Sequence, residues 1–272
     1  MTESAGRPCV PDYGLDAPKV VRNLLVLGGA GLGLWLLGAL RLWSGVVRTP
    51  PVAGVNLVFP LSRMGLWAGL GLTAMGFWMI RTSRVGKVRE REILLDRIAW
   101  TGGERVLDVG CGRGLMLVGA ARRLKSGKAT GIDIWRAEDL SGNRPEATLE
   151  NARCEGVADR VEVRTADMRA IPFPGGSFDV VVSSAAVHNL ASAADRRKAI
   201  LEIARVLKPG GAALVDDIRH GGEYAAAFAA GSCEAARVDS RMASAFWTLV
   251  TMGSLRPVTL LARKAAGAGS DP

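Results

Sequence analysis

The chain has 272 residues, with 35 lysines and arginines against 26 acids and a formal charge of +9. A balance this basic raises nucleic-acid binding, but the basic residues are clustered, and the densest run directly follows an apolar segment. It therefore reads as a membrane-topology and lipid-headgroup signal, and no nucleic-acid partner is expected. The four cysteines, Cys9, Cys111, Cys154 and Cys233, stand far apart without a CxxC pair. Neither a metal site nor a disulfide framework is expected from them, and a reducing compartment suits them.

Residues 1–19 read as a tail. Beyond it, Leu24 to Leu40 and Met64 to Ile80 are two uncharged runs of 17 residues each. Each is close to the lower limit of roughly 17 residues for crossing a bilayer core, and Trp43, Trp67 and Trp78 are placed to act as interfacial anchors. An α-helical transmembrane hairpin is predicted over 20–81. A signal peptide fits less well, because a polar stretch precedes the first run and a second span follows it. Buried helices of a soluble protein, or an interfacial hairpin, are the competing readings. Gly29 and Gly33, like Gly65 and Gly69, have GxxxG spacing, which suits close helix contact in lipid. The segment Leu25 to Gly33 imitates a dinucleotide-binding turn but lacks GxGxxG in register.

Residues 82–100 form a basic connector. Arg81, Arg84, Lys87, Arg89, Arg91 and Arg97 face only Glu90, Glu92 and Asp96. By the positive-inside rule this side is cytoplasmic, and the loop around Pro50, Pro51 and Pro60 lies outside.

From 101 to 264 short apolar strands alternate with amphipathic helices, which implies a parallel sheet with crossover helices. Strands are predicted at Arg105 to Val109, Ala129 to Asp133, Val161 to Thr165, Val180 to Ser183 and Ala212 to Asp216. Helices begin near Leu115, Pro145 and Ala194. The first strand runs into Asp108-Val109-Gly110-Cys111-Gly112-Arg113-Gly114, where glycines permit a sharp turn and close approach to a ligand. Asp133 ends the second strand, where a carboxylate can accept both hydroxyls of a ribose. Cys111 reads as a small packing residue, since nothing nearby in sequence would activate its thiol. Lys208-Pro209-Gly210-Gly211 reads as a tight turn before the fifth strand.

In order, VLDVGCGRG, GIDIW, RTADM, FDVVVSS and ARVLKPGGAALV resemble the motif series of class I S-adenosylmethionine-dependent methyltransferases, over roughly Thr101 to Ile218. The resemblance implies a Rossmann-like, doubly wound, mostly parallel α/β sheet with an antiparallel C-terminal strand, and S-adenosyl-L-methionine as cofactor. By position it places the methionine part at Asp108, Gly110, Gly112 and Gly114, the ribose at Asp133, and the adenine at Ala166, Asp167 and Met168. Capping of the glycine loop by Asp108, of the next turn by Asp133, or a plain turn role for Asp167 are the alternatives.

Methyl transfer from a sulfonium is an in-line displacement in which proximity and desolvation supply much of the rate, so a dedicated base is optional. The chain's two histidines, His188 and His220, fall just beyond the fourth and fifth strands, where a base would sit. Asp216 and Asp217 compete for that place. Trp135 to Asn143 is either a lid or a helix start. Past it, strands near Ala235 to Asp239 and Val258 to Ala262 enclose an apolar stretch, Phe246 to Met252, and 265–272 reads as a disordered tail.

A membrane anchor on a methyltransferase suits a small, hydrophobic, membrane-associated acceptor. The alternatives are a soluble or protein acceptor, a tethered non-catalytic cofactor-binding module, and another Rossmann-type enzyme.

Overall fold

A computed structural model describes residues 9–50, 57–138, 140–238 and 255–266. They fall into two compact units, Gly14–Lys87 on one hand and, on the other, the chain up to Tyr13 together with everything from Val88. The predicted apolar stretch Phe246 to Met252 lies outside the described residues.

In the first unit, α1 (Pro18–Ala39) and α2 (Leu61–Arg81) pack antiparallel, joined through a two-strand ladder of β1 (Val47–Arg48) and β2 (Val58–Phe59). Glycine sets how close the helices come. A Cβ on Gly31 would lie 2.8 Å from the Gly65 carbonyl oxygen, and one on Gly69 would lie 2.9 Å from that of Gly28. Gly65 and Gly69 thus serve as expected, but Gly29 and Gly33 do not: a Cβ on either meets nothing within 4 Å. The contact stripe of α1 passes instead through Gly28, Gly31 and Gly38, because its rotation is set by the whole antiparallel interface and not by one spacing. Beyond α2 the helix widens into a π-turn at Thr82–Gly86, where the Thr82 hydroxyl donates back to the Trp78 and Met79 carbonyls. Asp16 closes the open end of the hairpin on Ser83 and Lys87.

Large apolar side chains cover the outside of this unit: Val26 is 62% exposed, Leu27 60%, Trp67 71% and Phe77 62%. Among the described residues α1 alone is long and apolar enough to cross a membrane by length and composition. Its neighbour α2 has 21 residues and carries Arg63 and Arg81.

The second unit is a three-layer α/β sandwich. Its helices are α3 (Lys87–Leu95), α4 (Leu115–Ala121), α5 (Pro145–Cys154), α6 (Ala193–Val206) and α7 (Gly221–Ala230). Its strands are β3 (Arg105–Val109), β4 (Lys128–Asp133), β5 (Val161–Thr165), β6 (Phe178–Ser184), β7 (Leu207–Asp217), β8 (Cys233–Arg237) and β9 (Val258–Lys264). They align in the order β5-β4-β3-β6-β7-β9-β8, with β9 antiparallel to both neighbours and the other neighbouring pairs parallel. Strand residues alternate between two cores. Leu107, Val109 and Val181 pack with Ile200 and Ile203 of α6 and Phe228 of α7, while Val106, Val180 and Val182 pack with Leu95 of α3 and Leu117 of α4.

Two local features differ from expectation. The Lys208–Gly211 segment is a bulge inside β7 and not a turn ahead of it: Phe178 pairs with Leu207 and Val180 with Ala212, and Gly210 takes a φ of 76°. Helix α7 was not anticipated, because its Gly-Gly start hides the alanine-rich turns behind it.

Residues 9–13 pack on this unit. Cys9 forms a disulfide with Cys154 at the end of α5, their Cα atoms 5.1 Å apart, which corrects the reading of the cysteines as unpaired and as suited to a reducing compartment. Sequence distance concealed the pair, since the tail lies along α5. Asp12 exchanges hydrogen bonds with Asn151, and Tyr13 donates to Glu155. Arg91, counted above in the basic cluster, is 1% exposed and bonded to Tyr13 and Glu155. It is a structural charge of the second unit and is withdrawn from the headgroup-facing set.

Candidate active site

The carboxyl ends of β3, β4, β6 and β7 converge where strand order reverses, the place where open α/β sheets bind ligands. After β3, Gly110, Gly112 and Gly114 all take positive φ, at 74°, 52° and 84°. The loop is anchored from four directions. Gly110 N–H donates to the Ile132 carbonyl (2.8 Å), Gly112 N–H to Asp133 Oδ2 (2.8 Å), Thr148 Oγ1 to the Gly112 carbonyl (2.7 Å) and Asn151 Nδ2 to the Arg113 carbonyl (2.8 Å). A Cβ at Gly110 would sit 2.4 Å from the Cβ of Ala186, so only glycine lets the loop after β6 close onto the loop after β3. Met168 reaches the same spot, its Cε 3.4 Å from that Cβ position.

Asp108 lies beneath the loop, 1% exposed, with Oδ2 lacking any partner. Burial pushes its carboxyl up to about 8, the backbone N–H of Leu117 offsetting part of that and Asp133 adding to it. Burial likewise raises the Cys111 thiol well above its ordinary value, which agrees with an inert packing role. Asp133, the last residue of β4, accepts from Gly112 N–H and, on Oδ1, from Trp135 N–H (2.6 Å).

Following β5 come Ala166, Asp167 and Met168, all half-buried. Asp167 was expected to be available to a ring amino group. Its carboxylate is instead engaged by Arg169, whose side chain and backbone N–H donate to it and hold it below the usual range.

The two histidines part company. His188, in the turn Val187–Asn189 after β6, has Nδ1 2.5 Å from Asp217 Oδ1 at the end of β7. Asp217 is 2% exposed and also accepts from the His188 and Ile218 backbone N–H groups and the Tyr224 hydroxyl. A buried carboxylate so placed keeps the proton on Nδ1 and leaves Nε2 as the acceptor. His220 instead precedes α7 at a φ of 65° and pairs with Glu223, which Arg196 also engages. Asp216 bonds Thr259 and Ser184, and burial lifts its carboxyl to about 6.

Sequence reasoning treated Asp217 as a rival of His220, whereas the geometry makes it the partner of His188. It also missed Thr148 and Asn151, whose spacing of three on α5 puts both under the glycine loop. The described residues among 135–143 form no helix. They fold back so that Leu140 would contact a Cβ on Gly112 at 3.0 Å. Trp135, Ala185 and His220 hold positive φ without being glycine, and each follows one of these strand ends, where strain often marks function.

Residues 107–215 match the family described as methyltransferase domain. Methyltransferase GfsG of Streptomyces halstedii is 35% identical over 130 residues, 48% of this chain and 43% of that protein. Sterol 4-C-methyltransferase strm-1 of Caenorhabditis elegans is 34% identical over 118 residues, 43% of this chain and 32% of that one. The chain thus spans less than half the length of these two curated relatives. Geranyl diphosphate C-methyltransferase from Streptomyces coelicolor, solved with geranyl diphosphate and S-adenosyl-L-homocysteine, superposes with a TM-score of 0.51 at 19% identity, covering 65% of this chain and 79% of that one. That likeness speaks for the fold. The cradle also fits S-adenosylmethionine: Asp108 offers a buried, unpaired oxygen suited to an ammonium, beneath a glycine turn that permits close approach of backbone to a ligand. The match and the sheet order make residues 107–215 similar to the methyltransferase domain family, on a Rossmann-like sheet whose cradle fits S-adenosylmethionine.

Proposed function

We propose that the chain is a membrane-anchored enzyme that transfers a methyl group from S-adenosylmethionine to a small hydrophobic acceptor drawn from the bilayer. The observation that carries this is the presence, on one chain, of a methyltransferase cradle and a helical hairpin clad in exposed apolar side chains. The relatives' names point the same way, one naming a sterol and another geranyl diphosphate.

Chain topology supports two spans. The tail through Tyr13 and the chain from Val88 belong to one unit, tied by the Cys9–Cys154 bond and by Tyr13 on Glu155. Whatever lies between them must leave and return on the same side, so if α1 crosses, α2 crosses back. The exposed Arg81, Arg84, Arg89 and Arg97 favour the cytoplasmic face for that side, and the Cys9–Cys154 bond, which needs an oxidising compartment, opposes it.

Bound S-adenosylmethionine supplies the electrophilic methyl. Asp108 holds the cofactor's ammonium, the glycine loop its methionine chain, and Asp133 its ribose. Ala166, Asp167 and Met168 border the adenine, Asp167 already oriented by Arg169. His188, fixed by Asp217, takes the acceptor's proton on Nε2, and His220 is assigned the lesser part of shaping the loop before α7.

The test is label transfer from methyl-tritiated S-adenosylmethionine in membranes holding the wild type or Asp108→Ala, followed by partition into organic solvent. Asp108-dependent label in the organic phase is expected. Label confined to water or protein would replace the acceptor class with a soluble or protein one, and absence of label despite cofactor binding would leave a tethered binding module.

A further inference from the structure

Asp133 has less free capacity than its sequence position suggests. An ionised carboxylate offers about four lone-pair sites. Gly112 N–H takes one on Oδ2, Trp135 N–H one on Oδ1 at 2.6 Å, and Asn143 Nδ2 a third, longer one on Oδ1 at 3.4 Å. These donors come from the chain's own loops and hold both turns in place. One good site remains, whereas a ribose presents two vicinal hydroxyls.

The missing acceptor stands beside it. Asn143 returns to Asp133 at the end of the loop that starts with Trp135, whose indole N–H is tied to Thr165 Oγ1 (2.9 Å). Arg113 of the glycine loop donates to the Ser141 carbonyl (3.2 Å) and so pins the same return segment. The Asn143 amide nitrogen is spent on Asp133 and on the Arg136 carbonyl (3.3 Å), while its Oδ1 is buried with no partner. Buried amide oxygens are seldom left unpaired, and one whose own amide nitrogen bonds the ribose carboxylate is placed to receive a ligand donor.

We propose that Asn143 is a cofactor-positioning residue: Asp133 accepts one ribose hydroxyl and Asn143 Oδ1 accepts the other. The inference rests on the assignment of Asp133 to the ribose. It also gives the loop after β4 a task, since Arg113, Leu140 and Trp135 together fix Asn143 relative to Asp133.

The test compares dissociation constants of S-adenosylhomocysteine and its 2′-deoxy and 3′-deoxy analogues by calorimetry, on wild type, Asn143→Ala and Asp133→Ala of the full chain. Each comparison is between ligands on one variant, so a change in the folded fraction cancels. Wild type should bind both deoxy analogues about tenfold more weakly than the parent, the scale of one hydrogen bond. Asn143→Ala should lose discrimination against one analogue and keep it against the other, with Asp133→Ala losing the opposite one. Retained discrimination against both analogues in Asn143→Ala would overturn the proposal. If Asp133→Ala also keeps both, or wild type discriminates against neither, the ribose assignment itself is wrong.

Discussion

Asp108 carries the largest electrostatic cost in the site, and that cost has a pH signature. Its folded value of about 8 stands above the ordinary 3.8, so between those values the folded chain holds a proton that the unfolded chain has released. Stability of the ligand-free protein should therefore fall as pH rises from about 4 to about 8, by up to ~1.4 kcal/mol per pH unit, and level off above. Asp216, lifted to about 6, contributes only to the lower part of that window. Denaturant midpoints of Asp108→Asn should stay flat between pH 6 and 8, and a slope equal to wild type there would refute the assignment. A bound ammonium favours the ionised form, so cofactor binding below pH 8 should release a proton, visible as a buffer-dependent heat. At His188, Asp217→Asn should turn the ring toward the wrong tautomer and lower kcat by ~10²–10⁴, as should His188→Ala, with the dissociation constant for S-adenosylhomocysteine unchanged. Unaltered turnover in both variants would mean that positioning alone performs the reaction. The motifs singled out Asp108 and Asp133 in the sequence, and the scarcity of histidines singled out His188. What sequence could not express was that residues 29 apart along the chain, His188 and Asp217, are hydrogen-bonded, because that depends on two neighbouring strand ends.

At the scale of elements, the central strands were readable because β3, β4 and β6 are buried and apolar, and parallel pairing leaves little choice of register. The α1 seam was not. GxxxG pairs at 29/33 and at 65/69 look alike in sequence, yet only the second meets a partner, since rotating α1 toward α2 brings Gly28 and Gly31 inward. The distinction can be measured. Gly31→Leu should destabilise the hairpin by ~1–3 kcal/mol through overpacking, and Gly28→Leu similarly, a Cβ there lying 2.9 Å from the Thr73 backbone nitrogen. Gly29→Leu and Gly33→Leu should match wild type or exceed it, as glycine costs a helix interior ~1 kcal/mol. Thermal unfolding in detergent micelles reads the difference; equal effects at all four positions would place the seam elsewhere.

For the whole molecule, the short tail before α1 matters out of proportion to its length. Sequence inspection treated it as a polar lead-in, because nothing local in residues 9–13 announces that Asp12 meets Asn151 or that Tyr13 meets Glu155. The Cys9–Cys154 bond joins residues 145 apart, and all of α1, α2, α3 and the glycine loop lie on the ring that it closes. A single protease cut anywhere on that ring therefore opens a circle and does not sever the chain. Sealed vesicles nicked from outside between α1 and α2 should keep one full-length band without reductant and yield two fragments with it. A split without reductant would mean that the ring is open in the membrane. Where the ring is closed, a cut between α1 and α2 leaves the helical hairpin and the α/β unit a single covalent molecule.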